Sequence, residues 1–210
     1  MDAGEILAPS KIVPVITISQ VDQGEALAEC LFEAGMHTIE ITLRSSVAIA
    51  TIERIARMLP EVTIGAGSVR TAEQLQQVQD VGANFAVSPG SSNALLSRAH
   101  DLAMPFVPGA STPTEMIALL DRGYRLQKFF PAQQSGGLAF LKAIAKPLPE
   151  IRFFPTGGIN GALAGEYLAL ESVACIGGSW FISAEKLAEG KYDSISSSAQ
   201  QILSKLPTRD

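Results

Sequence analysis

The sequence predicts an α/β protein, a single-domain (β/α)8 TIM barrel over residues 1–210, on three observations. Short β-rich runs recur along the whole chain at intervals of a little over twenty residues, helix-like segments fill the gaps, and no linker or shift of composition divides the series. Strict alternation of strand and helix calls for parallel strands joined by crossover helices, and eight such units close naturally into a barrel. An open doubly wound sheet is the rival. It would carry a glycine-rich turn after its first strand, whereas the run from Ile12 continues into SQVDQG.

In chain order the β-rich runs are IVPVITI from Ile12, HTIEITL from His37, VTIGAGSV from Val62, NFAVSPG from Asn84, MPFVPGA from Met104, YRLQKFFP from Tyr124, IRFFPTGG from Ile151 and VACIGGSW from Val173. Between them, GEALAECLFEAG, AIATIERIARML, AEQLQQVQDVGA, TEMIALLDRG, LAFLKAIAK and AGEYLALE have helical spacing of apolar residues. Thr71 with Gln74, and Thr112 with Glu115, have the spacing of helix N-caps. The stretch GKYDSISSSAQQIL reads as a final helix without a chemical signal.

A net charge of -5, with no dense run of Lys or Arg, argues against nucleic acid as a partner. The acidic N-terminus is unlike a secretory signal, and no stretch is apolar for long enough to cross a bilayer, so no membrane is expected. Cys30 and Cys175 fall in a helix-like and a strand-like segment and read as buried free thiols, which makes the cytoplasm the expected setting. His37 and His100 are far apart and no cluster has metal-ligand spacing, so neither a metal nor another cofactor is expected.

In such a barrel the C-terminal strand ends share one face, where the chemistry lies. These ends carry Arg44, Ser68, the SPG containing Pro89, the PGAST from Pro108, Phe130 and the loop after Lys128, Thr156 with Gly157 and Gly158, and Gly178 with Ser179. Side chains alternate along a strand, so Thr38, Glu40, Thr42 and Arg44 share the inward side of the second strand, opposite Ile39, Ile41 and Leu43. Lys128 sits in the buried run YRLQKFFP. Buried charges need partners or employment, and an internal salt bridge of Glu40 with Lys128 or with Arg44 would account for them on spacing alone.

A buried lysine and a buried glutamate at one barrel mouth also suit Schiff-base chemistry on a carbonyl substrate. Only the neutral amine attacks a carbonyl, and at the ordinary lysine pKa of about 10.4 roughly one in a few thousand is neutral at pH 7. Desolvation by neighbours such as Phe129 and Phe130 opposes the charged form, and a carboxylate such as Glu40 is the right group to move protons. Two glycine pairs, Gly157–Gly158 and Gly177–Gly178, each ahead of a helix-like segment, suggest a phosphate site built from backbone N–H groups with the Ser179 hydroxyl; tight turns are the plainer reading.

With these residues in view, the chain resembles the bacterial 2-keto-3-deoxy-6-phosphogluconate (KDPG) and 4-hydroxy-2-oxoglutarate (KHG) aldolases. The likeness runs through PVI at 14–16, IEITLR at 39–44, GAGSV at 65–69, SPG at 88–90, PGAST at 108–112, KFFPA at 128–132, FFPTGGI at 153–159 and CIGGSW at 175–180. It implies a homotrimeric class I aldolase, a lyase cleaving 2-keto-3-deoxy-6-phosphogluconate to pyruvate and glyceraldehyde 3-phosphate. Lys128 matches the Schiff-base lysine and Glu40 the acid/base glutamate. Arg44 and the Ser68 hydroxyl would hold the pyruvate carboxylate, while Thr156, Gly157, Gly158 and Ser179 would hold the phosphate-bearing end, with Pro89, Phe130 and Gly178 beside them.

The family commonly has Thr where this chain has Ser68 and Glu where it has Gln133, which makes Gln133 the first place to expect altered specificity. Alternatives within the same mechanism are an unphosphorylated keto acid such as 4-hydroxy-2-oxoglutarate, or the galactonate epimer. A non-catalytic sugar-phosphate binding protein is the alternative from another class.

Overall fold

The computed structural model describes residues 2–206. In chain order the elements are α1 (Ala3–Leu7), β1 (Ile12–Ile16), α2 (Val21–Glu33), β2 (Thr38–Thr42), α3 (Ala48–Met58), β3 (Thr63–Gly67), α4 (Ala72–Asp80), β4 (Phe85–Val87), α5 (Asn93–Asp101), β5 (Phe106–Val107), β6 (Gly109–Ala110), α6 (Pro113–Leu120), β7 (Leu126–Phe129), α7 (Gly137–Ile144), β8 (Arg152–Pro155), α8 (Gly161–Leu168), β9 (Ile176–Gly178), α9 (Ala184–Ala188) and α10 (Tyr192–Lys205). The expected caps form: Thr71 Oγ1 accepts from Gln74 N, and Thr112 and Glu115 make a reciprocal capping box.

All the strand pairs are parallel, in two sheets ordered β5-β4-β3-β2-β1-β9 and β6-β7-β8. The expected strand from Met104 is split at Pro108, which has no N–H to donate to a ladder, into β5 of one sheet and β6 of the other. The Pro108 carbonyl still accepts from Lys128 N at 2.9 Å. At the other edge, isolated parallel bridges Phe153–Val173 and Thr156–Gly177 link β8 to the chain around β9.

Alternation along the strands divides the core into two layers. Ile39 and Ile41 of β2, Ile64 of β3, Phe129 of β7 and Phe153 of β8 pack outward with Leu27, Leu31, Ile52, Ile55 and Leu141 from the helices. Val13, Phe85, Val87, Val107, Leu126, Phe154 and Cys175 form the inner layer. Gly65 belongs to this inner side, where a side chain would overlap the Phe85 ring.

Helix α1 has no counterpart among the sequence expectations because it is only five residues long. It is held by the Asp2–Glu5 capping box and places Ala3 and Leu7 in the inner layer with Val13, Phe85 and Leu126, near the starts of β1, β4 and β7. Both cysteines are buried. Among the described residues no helix is long and apolar enough to cross a membrane.

Leu7 is fully buried and joins α1 to the inner layer. Leu7→Ala is expected to cost about 2–5 kcal/mol, read as a lower urea midpoint with an unchanged slope.

Candidate functional site

Lys128 Nζ lies 3.1 Å from Glu40 Oε1, with the glutamate fully buried and the lysine 5% exposed. Of the two salt bridges compatible with strand spacing, this is the one that forms. The residues come from opposite sheets, β7 and β2, and meet because each points into the interior. Lys128 Nζ also sits 5.7 Å from the ring centroids of both Phe130 and Phe154, within cation–π range. Glu40 Oε2 has no hydrogen-bond partner among the described residues.

Room for the glutamate is made by Gly67 on the neighbouring strand. A Cβ there would overlap the Glu40 carboxylate, and β2 and β3 are in register with Thr42 opposite Gly67. The next residue, Ser68, has φ 58°, an uncommon conformation for a residue with a side chain. Its Oγ accepts a 3.1 Å hydrogen bond from Arg44 Nε. Arg44 itself is exposed, so Ser68 steadies a guanidinium that remains open to an anion.

Above the pair opens a cavity of about 650 Å³, whose wall includes Thr42, Arg44, Phe130, Thr156, Gly178 and Ser179. Gly157 and Gly158 line it too, with φ 106° and 74°, a backbone path that requires glycine. Thr156 is buried, and its Oγ1 has no partner among the described residues although its backbone bonds to Phe129 O and from Ala132 N.

Not every expected residue lines this wall. Glu40 and Lys128 lie beneath it, Ser68 is joined to it through Arg44, and Pro89 packs its backbone against Gly109, the register partner of Lys128. The helix expected directly after Gly178 begins later, at Ala184 capped by Ser183. Trp180 takes up the intervening turn, stacking edge-on to Phe181 at 5.4 Å and covering Gly178 so closely that a Cβ would collide with its ring. Ser179 therefore contributes its hydroxyl from a turn rather than from a helix N-terminus.

Gln133 braces the glycine turn. Its backbone N donates to Gly157 O at 3.1 Å, its Nε2 donates to Tyr167 Oη at 2.9 Å, and a Cβ on Gly158 would come within 2.8 Å of its side chain. Burial pushes the Tyr167 phenol up from its ordinary value, so it stays protonated at neutral pH. A glutamate at 133 would accept from that hydroxyl, whereas glutamine donates to it. The brace and the Gly67 pocket escape sequence reasoning, since each depends on a partner far away in the chain.

A buried lysine–carboxylate pair next to a cavity lined by an exposed arginine and a glycine turn has the chemistry that imine formation with an anionic carbonyl compound would need. The chain belongs to the KDPG and KHG aldolase family, whose model matches residues 4–198. The KHG/KDPG aldolase of Escherichia coli K12 is 42% identical over 199 residues, covering 95% of this chain and 93% of that protein. A KDPG aldolase from Legionella pneumophila, solved with pyruvate captured at low pH as a covalent carbinolamine intermediate, is 39% identical with a TM-score of 0.94, covering 96% of this chain and 98% of that one. That of Zymomonas mobilis ZM4, solved with 3-phosphoglycerate, is 34% identical with a TM-score of 0.89, covering 96% and 94%.

The Gln133–Tyr167 contact is expected to couple the two side chains by about 0.5–1.5 kcal/mol in a double-mutant cycle of Gln133→Leu and Tyr167→Phe followed by urea denaturation.

Proposed function

We propose that the protein is a class I aldolase that reversibly cleaves 2-keto-3-deoxy-6-phosphogluconate to pyruvate and glyceraldehyde 3-phosphate. The observation that carries this reading is the buried 3.1 Å contact between Lys128 Nζ and Glu40 Oε1, each two residues back in the chain from a residue of the cavity wall, Phe130 and Thr42. Transfer of the ammonium proton across that contact gives the neutral amine, which adds to the C2 carbonyl to form a carbinolamine. Loss of water leaves a protonated imine, the electron sink for the next step.

Glu40 then takes the proton of the C4 hydroxyl as the C3–C4 bond breaks, and the bonding pair passes into the imine to form an enamine. The aldehyde leaves. The same carboxylate returns a proton to C3 and directs the water that releases pyruvate and restores the amine. Arg44, held by Ser68, is suited to the substrate carboxylate, and Thr156, the Gly157–Gly158 turn and Ser179 to the phosphate-bearing end.

The relative from Escherichia coli bears the names of both KHG and KDPG aldolase. The glycine turn and the Ser179 hydroxyl favour the phosphorylated keto acid here, because they offer donors at the end of the cavity remote from Arg44. Closure of the two sheets into one eight-unit barrel over a single domain belongs to the same proposal, supported by the Thr156–Gly177 bridge, as does the homotrimer that family membership suggests.

The test is a coupled cleavage assay with purified protein. Glu40→Gln is expected to slow turnover by about 10²–10⁴-fold, the usual contribution of a general acid–base group, and Lys128→Ala to abolish it. Lys128→Ala turning over at the wild-type rate would overturn the mechanism. Inorganic phosphate is expected to compete with the phosphorylated substrate, and Ser179→Ala to raise KM with little change in kcat; if neither occurs, the unphosphorylated keto acid is the better reading.

A further inference from the structure

Thr17 stands one residue beyond the end of β1, in the cavity wall with Thr42 and Arg44. Its Oγ1 is 2.8 Å from Thr42 Oγ1, and Thr42 Oγ1 lies 3.1 Å from the Ile16 carbonyl oxygen. These two contacts fix the direction of the hydrogens. A carbonyl only accepts, so the single Thr42 hydroxyl hydrogen goes to Ile16 O; the hydrogen shared by the two threonines is then that of Thr17. With its hydrogen committed, the exposed Thr17 hydroxyl offers the cavity lone pairs alone.

The sheet order gives this acceptor a place along the substrate. Strand β1 lies between β2, which leads to Arg44, and β9, which leads to Gly178 and Ser179. A keto acid stretched from the arginine to the glycine turn and Ser179 passes the end of β1 with its middle carbons. Those carbons carry hydroxyl groups, which are donors.

We propose that Thr17 is a specificity-determining residue that accepts a hydrogen bond from a hydroxyl in the middle of the substrate, the one that becomes the 2-hydroxyl of the aldehyde product. The assignment rests on the aldolase reading above. It makes Thr17 a reader of the aldehyde half, with no part in forming the pyruvate imine.

The experiment compares wild type, Thr17→Val and Thr17→Ser in condensing pyruvate with glyceraldehyde 3-phosphate and with 3-oxopropyl phosphate, which lacks the 2-hydroxyl. Exchange of the pyruvate methyl protons with deuterium is followed in parallel. For glyceraldehyde 3-phosphate, kcat/KM is expected to fall about tenfold in Thr17→Val, the size of one lost hydrogen bond, and to be kept in Thr17→Ser. For 3-oxopropyl phosphate the wild type and Thr17→Val are expected to be equal, and pyruvate exchange to be unchanged in all three.

Equal losses on both aldehydes, or no loss on either, would overturn the role of Thr17 while intact pyruvate exchange leaves the aldolase reading standing. Absence of exchange in the wild type would overturn both. Thr17→Ala serves the same comparison if the valine variant does not fold.

Discussion

Between Lys128 Nζ and Glu40 Oε1 two opposite charges stand 3.1 Å apart, almost wholly out of water. Either charge alone in that place would cost several kcal/mol of desolvation, so each holds the other in the interior. The same closeness that neutralises the pair gives the proton a short path between them. In the proposed reaction the resting contact and the proton transfer are two states of one interaction, and Glu40 Oε2, without a partner among the described residues, leaves the carboxylate a second oxygen for a substrate or water.

Much of the surrounding architecture follows from keeping that pair buried yet reachable. Gly67 leaves the volume that the glutamate occupies, Phe130 and Phe154 flank the ammonium, and apolar side chains below, closed by Leu7 of α1, fill the interior at the opposite ends of the strands. The C-terminal ends stay open. There the chain places hydroxyls, glycine turns and one exposed arginine, a lining that offers donors and one cation without adding a second buried charge.

The strands and their inward faces were legible because alternation is local: Thr38, Glu40 and Thr42 against Ile39 and Ile41 reads directly as a polar side and an apolar side, and the structure keeps both. The helix caps at Thr71 and Thr112 were legible for the same reason. What escaped depends on distant contacts. The break at Pro108, the left-handed Ser68, the delayed start of α9 beneath Trp180 and the Gln133–Tyr167 brace each answer to a neighbour that sequence spacing does not reveal. The choice of Lys128 over Arg44 as partner for Glu40 is of this kind too, settled by which strands face one another across the interior.

An imine at Lys128 can be reduced in place and located on the chain. Wild-type protein incubated with pyruvate and borohydride, then digested and mapped by mass spectrometry, should carry a reduced pyruvyl adduct on the peptide containing Lys128, and Lys128→Ala should carry none. A folded wild-type protein that gains no adduct, or one that gains it on another lysine, would contradict the account and leave Lys128 and Glu40 as a structural ion pair.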